Sequence, residues 1–223
     1  MSFKELVLRR KIIEKLSQYI TNKRRQKNRL KLKNHDFSIF CSNCTGGIIS
    51  HELGERFNSP TVNLRISSKE FVKFMLNIHE YLEQELIFFD GEENCPMAHL
   101  GDITIVFAHY KDVDSALEKW NERKKRVNWD NIYVILNDRD GMTYEDLKAL
   151  SNVPCKNMVV FTAKEYPEFP YTFCLHQFCD QNEVGYTLDH LPITNEWYFE
   201  RFFDYTAWLN SEREPCENFR KRR

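Results

Sequence analysis

The sequence predicts an α/β fold: a three-layer, mostly parallel, Rossmann-like sheet with helices on both faces. Two observations carry this. Residues 103–109 and 132–136 are short runs apolar on both faces, the pattern of strands covered above and below. Strand-like and helix-like segments alternate along most of the chain, which implies crossover connections and a parallel sheet. With 223 residues, 42% of them apolar, and only 7 Gly and 7 Pro, the chain can fill one core and offers no evident linker. The expected organisation is a basic amphipathic helix or arm over residues 1–33 and a single α/β domain over 34–223.

The elements follow in order. Phe3, Leu6, Val7, Ile13, Leu16 and Ile20 recur at helical spacing, so residues 3–28 read as an amphipathic helix. Residues 36–41 form a strand pattern that breaks at Ser42-Asn43-Cys44-Thr45-Gly46-Gly47 before a helical run over 48–57. Residues 62–66 are strand-like. Ser67 or Ser68 caps a helix that turns Phe71, Phe74, Met75, Ile78 and Leu82 inward, and residues 86–89 suggest a further strand. The run 103–109 is expected at the centre of the sheet. Asp112 caps the next helix, whose stripe is Val113, Ala116, Leu117, Trp120 and Val127. Strands over 132–136 and 158–161 flank a helix at 144–150. In the last third, Phe199, Phe202, Phe203 and Trp208 read as core or dimer contacts.

The formal net charge of −1 hides an asymmetry: residues 1–33 carry 12 Lys or Arg against two Glu, +10, and the remainder −11. Such an arm usually meets anions. Each basic side chain near an anionic membrane contributes about 1 kcal/mol, so peripheral contact through residues 1–30 is one expectation. Packing of the stripe on the domain or in a homo-oligomer is the other, and nucleic acid is not an expected partner. No apolar run approaches the roughly 20 residues that span a bilayer, and no signal-peptide pattern opens the chain, so a cytoplasmic location is expected. Seven cysteines, odd in number and without framework spacing, suit reduced thiols.

Ligands of open α/β sheets bind outside the carboxyl ends of the strands. That rule gathers Cys44, His109 and Asp138 on one rim. Asp102 begins the run that His109 ends, about 23 Å away at 3.3 Å per residue, and cannot orient it. Gly46 and Gly47 at a helix N-terminus offer a cradle for a phosphate or sugar, with Ser42 and Asn43 beside it; a plain tight turn explains them equally well. The same position would lower the Cys44 pKa and make it a nucleophile with His109 as base, suiting acyl transfer or ester hydrolysis, although inert packing is the commoner fate of a free cysteine. Cys41 and Cys44 have Cys-x-x-Cys spacing, but Cys41 belongs to the strand's apolar pattern and no second pair completes a zinc site. Asp138 and Asp140, one residue apart after a buried strand, could hold Mg²⁺ or Mn²⁺ against a diphosphate, or form an ordinary turn. Lys119, Arg123 and Arg126 share a helix face that is usually solvated and becomes a phosphate site only if it turns to the rim.

Several segments together resemble a bacterial family with a domain of unknown function, whose members are often labelled exopolysaccharide or capsular polysaccharide biosynthesis proteins. The resemblance rests on residues 42–47, Ser59-Pro60-Thr61, Gly101-Asp102, His109-Tyr110, and Trp120 with Arg123, Arg126, Asn128 and Asn131, and it covers residues 36–165. It implies work on cell-surface glycans and supplies no reaction. The leading expectation is therefore a transferase moving a sugar from a nucleotide-sugar donor to a glycan acceptor, with Asp138 and Asp140 near a metal and Ser42, Asn43, Gly46, Gly47, Tyr110, Arg123 and Arg126 binding substrate. The alternatives are a Cys44–His109 enzyme using an acyl donor or cleaving an ester, and a non-catalytic sugar or nucleotide-binding module.

Overall fold

The structure is a computed structural model that describes residues 3–191 and 196–211, with side chains from residue 10 onward. Phe3, Leu6 and Val7 of the expected stripe thus lie outside the described side chains. The fold is α/β, with a four-stranded parallel sheet and a separate three-stranded antiparallel sheet.

The parallel sheet is built from β1 (Ser38–Cys41), β5 (Ile132–Asn137), β6 (Asn157–Thr162) and β7 (Thr172–Cys174), in that spatial order. Side chains alternate across it, as the period of two requires. Phe40, Val134, Leu136 and Val160 enter one apolar cluster, while Ile39, Cys41, Tyr133, Ile135, Val159 and Phe161 enter the other. The first cluster is closed by α3 (Ser68–Leu76), α4 (Ile78–Glu83), α5 (Val113–Lys124) and α6 (Tyr144–Ala149), together with the antiparallel sheet. The second is closed by α2 (Thr45–Leu53) and the aromatic residues of the last third. Phe199, Phe203 and Trp208 are buried there, with α7 (Tyr205–Leu209) edge-on to the sheet through Trp208 and Tyr133. Their expected core role holds.

One expected strand is misplaced. Residues 103–109 do not run through the parallel sheet: β4 (Ile103–Val106) is a strand of the antiparallel meander with β2 (Ile87–Phe89) and β3 (Met97–Leu100). Gly101 and Asp102 make the β3–β4 turn, with Gly101 at φ +60°, a conformation that favours glycine. The run is apolar because Ile103, Ile105 and Phe107 join the common core. Such a pattern reports burial on both faces without reporting which strands lie alongside. Residues 62–66 form no strand; Arg65 alone makes a bridge, exchanging backbone hydrogen bonds of 2.8 and 2.9 Å with Val106. The caps are as expected: Ser67 accepts from the Glu70 N–H and Asp112 from the Ser115 N–H.

The first helix, α1 (Phe3–Lys31), spans 29 residues, and among the described side chains its fastenings to the domain lie toward its carboxyl end. Arg25 pairs with Glu52 of α2, Arg24 reaches Glu200 at 3.2 Å, and Asn28 donates to the Tyr205 hydroxyl at 2.8 Å. Among the described residues, no helix is long and apolar enough to cross a membrane.

Candidate functional site: a cleft at the carboxyl edge of the parallel sheet

A cleft of about 370 Å³ opens where β1 and β5 end. Ser42, Asn43 and Cys44 bring the β1–α2 loop to it, Asn137 the end of β5, and Arg139 and Asp140 the loop after it. Leu64, Arg65 and Ile66 approach from the segment bridged to β4, Glu93 and Cys95 from the antiparallel sheet's loop, and Tyr186 from the last third. The volume suits a small ligand.

Two guanidinium groups line it. Arg65 is ion-paired with Glu93, which also lines the cleft. Arg139 has Glu183 as its ion partner at 3.8 Å, and its buried Nε finds no hydrogen-bond acceptor among the described residues. Asp140 stands at φ +56°, its N–H donating to Glu183 at 3.1 Å. That left-handed turn, completed by Gly141 at φ +77°, carries Asp140 round to the cleft.

The glycine loop has a different task from the expected one. Asn43 accepts the Thr45 N–H through its side chain at 2.9 Å and so occupies the start of α2. The buried Cys41 sulfur lies under the same turn, near the backbone N–H groups of Asn43, Thr45 and Gly46, and burial pushes its thiol up to about 11. Gly46 lies so close to β1 that a Cβ there would meet Ile39 Cγ2 at 2.9 Å and Cys41 Cβ at 3.1 Å; at Gly47 it would meet Asn63 Oδ1 at 3.0 Å. The glycines let α2 seat on β1 and on the 62–64 turn, and neither lines the cleft.

Cys44 does line it, but its thiol is pushed above the ordinary value, because burial outweighs the nearby charge of Arg65. The direction is opposite to the expected helix-terminus depression. His109 is exposed in the turn after β4 and does not line the cleft, although Ala108 beside it does. The physical reason is that β4 belongs to the second sheet, so the end of the run 103–109 is not an end of the parallel strands.

Asp138 also turns away. Its two carboxylate oxygens accept the N–H groups of Ala163 and Val184, each at 2.7 Å, and tie the loop after β6 and the 184 segment to β5. Burial raises this carboxyl to about 6 against the pull of those two amides. With both oxygens engaged by backbone and the group outside the cleft, Asp138 cannot clamp an ion together with Asp140, and the residues do not fit the two-aspartate Mg²⁺ or Mn²⁺ site. Among the described residues, no group of three or more His, Cys, Asp or Glu could hold a metal ion. As expected, Asp102 lies away from the cleft, at the β3–β4 turn, where Tyr81 and Lys73 donate to it.

Tyr110, Arg123 and Arg126 are also removed from the site. Arg123 is 7% exposed; it donates to the Val62 carbonyl at 3.0 Å and to the Tyr110 hydroxyl, and its guanidinium lies over Phe57. It pins the segment leading to Arg65. Arg126 and Lys119 are both ion-paired with Glu122, and Lys119 also with Glu118, so this helix face neutralises itself. Sequence reasoning missed Arg65, Glu93, Arg139 and Tyr186. Arg139 stood between two aspartates already singled out, and Arg65 at a polar position of the alternating run 62–66.

The fold is thus α/β, with its cleft beyond the carboxyl ends of the parallel strands, where open α/β sheets bind their ligands. The chain belongs to the family described as a domain of unknown function, DUF1919, whose model matches residues 15–210. It is 36% identical over 198 residues to an uncharacterized protein of Haemophilus influenzae, the match covering 89% of this chain and 94% of that relative.

Proposed function

We propose that the cleft binds a phosphorylated sugar donor, of the nucleotide-sugar kind, and that the protein transfers the glycosyl group to a glycan acceptor in cell-surface polysaccharide assembly. The observation that carries this is the presence of Arg65 and Arg139 in one cleft, with Arg139 poorly satisfied by protein acceptors. Guanidinium forks match phosphate oxygens in pairs. In glycosyl transfer the bond from the anomeric carbon to the phosphate oxygen breaks, and the two cations offset the charge left on the phosphate. Of the two cleft carboxylates, Glu93 is held by Arg65, so Asp140 would take the proton of the acceptor hydroxyl, and exposed Tyr186 offers a ring face to a sugar or base. The Cys44 thiol, pushed above its ordinary value, and the outlying His109 give no support to acyl transfer. The glycan context rests on the family resemblance.

The test is calorimetric titration with UDP-sugars, without metal and with Mn²⁺, together with an assay of nucleotide release in the presence of glycan acceptors. Binding is expected without metal. Arg139→Ala should weaken it roughly 10- to 100-fold, the loss of a charge-assisted hydrogen bond or two, and Asp140→Asn should keep binding while slowing release. Binding without release under any acceptor would make the protein a binding module, and absence of binding by every phosphorylated sugar would refute the proposal.

A further inference from the structure

The first helix meets the domain with its polar face. Thr21, Arg24, Arg25 and Asn28, which are buried or half-buried, turn toward α2 and the last third. At about 3.6 residues per turn, Ile12, Leu16, Tyr19 and Leu30 fall roughly half a turn away. They are accordingly in solvent, with 56%, 54%, 60% and 81% of their surface exposed, and Ile13 beside them at 55%. An amphipathic helix usually buries its apolar stripe on its own domain. Here the ion pairs with Glu52 and Glu200 hold the opposite face inward, so Ile12, Leu16, Tyr19 and Leu30 are presented outward, while Ile20 of the expected stripe is half-buried.

We infer that this outward face lies on an anionic lipid surface. Charge complementarity selects the occupant. Lys11, Lys15, Lys23 and Lys27 lie within or beside the stripe, and Glu14 is the single acidic residue between positions 10 and 31, paired with Arg10 at 2.8 Å. A second copy laid against the stripe would set these cations against the same cations of its partner. Anionic headgroups neutralise them while the interface receives the apolar side chains. Lys23 lies over the Tyr19 ring at 5.8 Å, an aromatic body beside a cation, as suits the boundary between acyl chains and headgroups. Nucleic acid would engage the cations and leave Ile12, Ile13 and Leu16 uncovered.

The inference is independent of the cleft chemistry and is tested on the full chain. Co-sedimentation with vesicles of 70% phosphatidylcholine and 30% phosphatidylglycerol is compared with pure phosphatidylcholine vesicles at low and high salt. The wild-type chain should bind the anionic vesicles, at least tenfold better than the neutral ones, and should release as salt screens the charges. The triple variant Ile12→Ser, Leu16→Ser, Tyr19→Ser should lose at least tenfold in binding with an unchanged thermal midpoint, because these side chains are already in water. Three results would overturn the inference: no binding of the wild-type chain to anionic vesicles, equal binding by the triple variant, or a wild-type dimer in sedimentation velocity that the triple variant converts to monomer. Binding of single-stranded RNA by both chains alike, without vesicle binding, would transfer the cationic helix to nucleic acid.

Discussion

Arg25 grips Glu52 with both ends of its guanidinium: Nη2 lies 2.6 Å from Oε1 and Nε 2.7 Å from Oε2, joining the first helix to the second. Burial pushes the Glu52 carboxyl up, but the Arg25 hydrogen bond and the charges of Arg25 and Arg24 outweigh it and hold it below the usual range. The pair therefore contributes stability above the ordinary glutamate pKa and loses it as pH falls through the depressed value.

Arg25→Ala should destabilise the fold by about 3 kcal/mol, since it strands a buried carboxylate, with Arg24 limiting the loss. Arg10→Ala removes a solvent-exposed pair and should change stability by less than about 1 kcal/mol. Urea denaturation at pH 7 measures both.

Removal of residues 1–18 spares every described contact between α1 and the domain cited above and should leave the thermal midpoint near that of the full chain. Removal of residues 1–30 deletes Arg24, Arg25, Asn28 and Arg29 and leaves Glu52 and Glu200 buried without them. That truncation should unfold at markedly lower temperature or accumulate as aggregate. Differential scanning calorimetry of the two forms separates the anchored half of the helix from the projecting half.

Gly46→Ala should cost about 1–3 kcal/mol, because the added methyl meets Ile39 and Cys41 of β1 inside a packed interface. If Gly46 served only to admit a ligand, the substitution would leave stability unchanged and reduce binding alone. Chemical denaturation without ligand distinguishes the two.

The two arginines on α5 should behave differently. Arg123→Ala removes the guanidinium from the Val62 carbonyl and the Tyr110 hydroxyl, leaves that carbonyl only the Tyr110 O–H at 3.2 Å, and should cost about 1–3 kcal/mol. Arg126→Ala breaks an ion pair within one helix and should cost less than about 1 kcal/mol. Thermal melts of the two variants provide the comparison.

Asp138, raised to about 6, holds a proton in the folded state over a range, from roughly pH 4 to 6, in which the unfolded chain has released it. Its contribution to stability is complete below about pH 4 and is lost as pH rises through about 6. Asp138→Asn should flatten that part of the stability profile. It should also lower stability at pH 7, because an amide can accept only one of the N–H groups of Ala163 and Val184 through its oxygen. Urea midpoints at half-unit pH intervals test both.

The amino-acid order by itself determined the α/β class, the capped helices at Ser67 and Asp112, and the strand ends that bring Cys44 and Asp140 to one rim. These are local: periodicity, caps and turns act within a few residues, and strand direction follows from the alternation of elements. The tertiary structure alone decided the rest. A doubly apolar run is equally at home in either sheet, so 103–109 could not reveal that β4 pairs with β3 or that His109 falls outside the cleft. Nor does the spacing of Asp138 and Asp140 say which way each carboxylate turns; backbone N–H groups at positions 163 and 184 capture one, and a left-handed turn releases the other. Arg65, Arg139 and Tyr186 come from three separate segments and meet only when the sheets pack. The outward apolar stripe of α1 has the same origin, for helical spacing defines a stripe, whereas buried Glu52 and Glu200, distant in sequence, choose the face that turns inward.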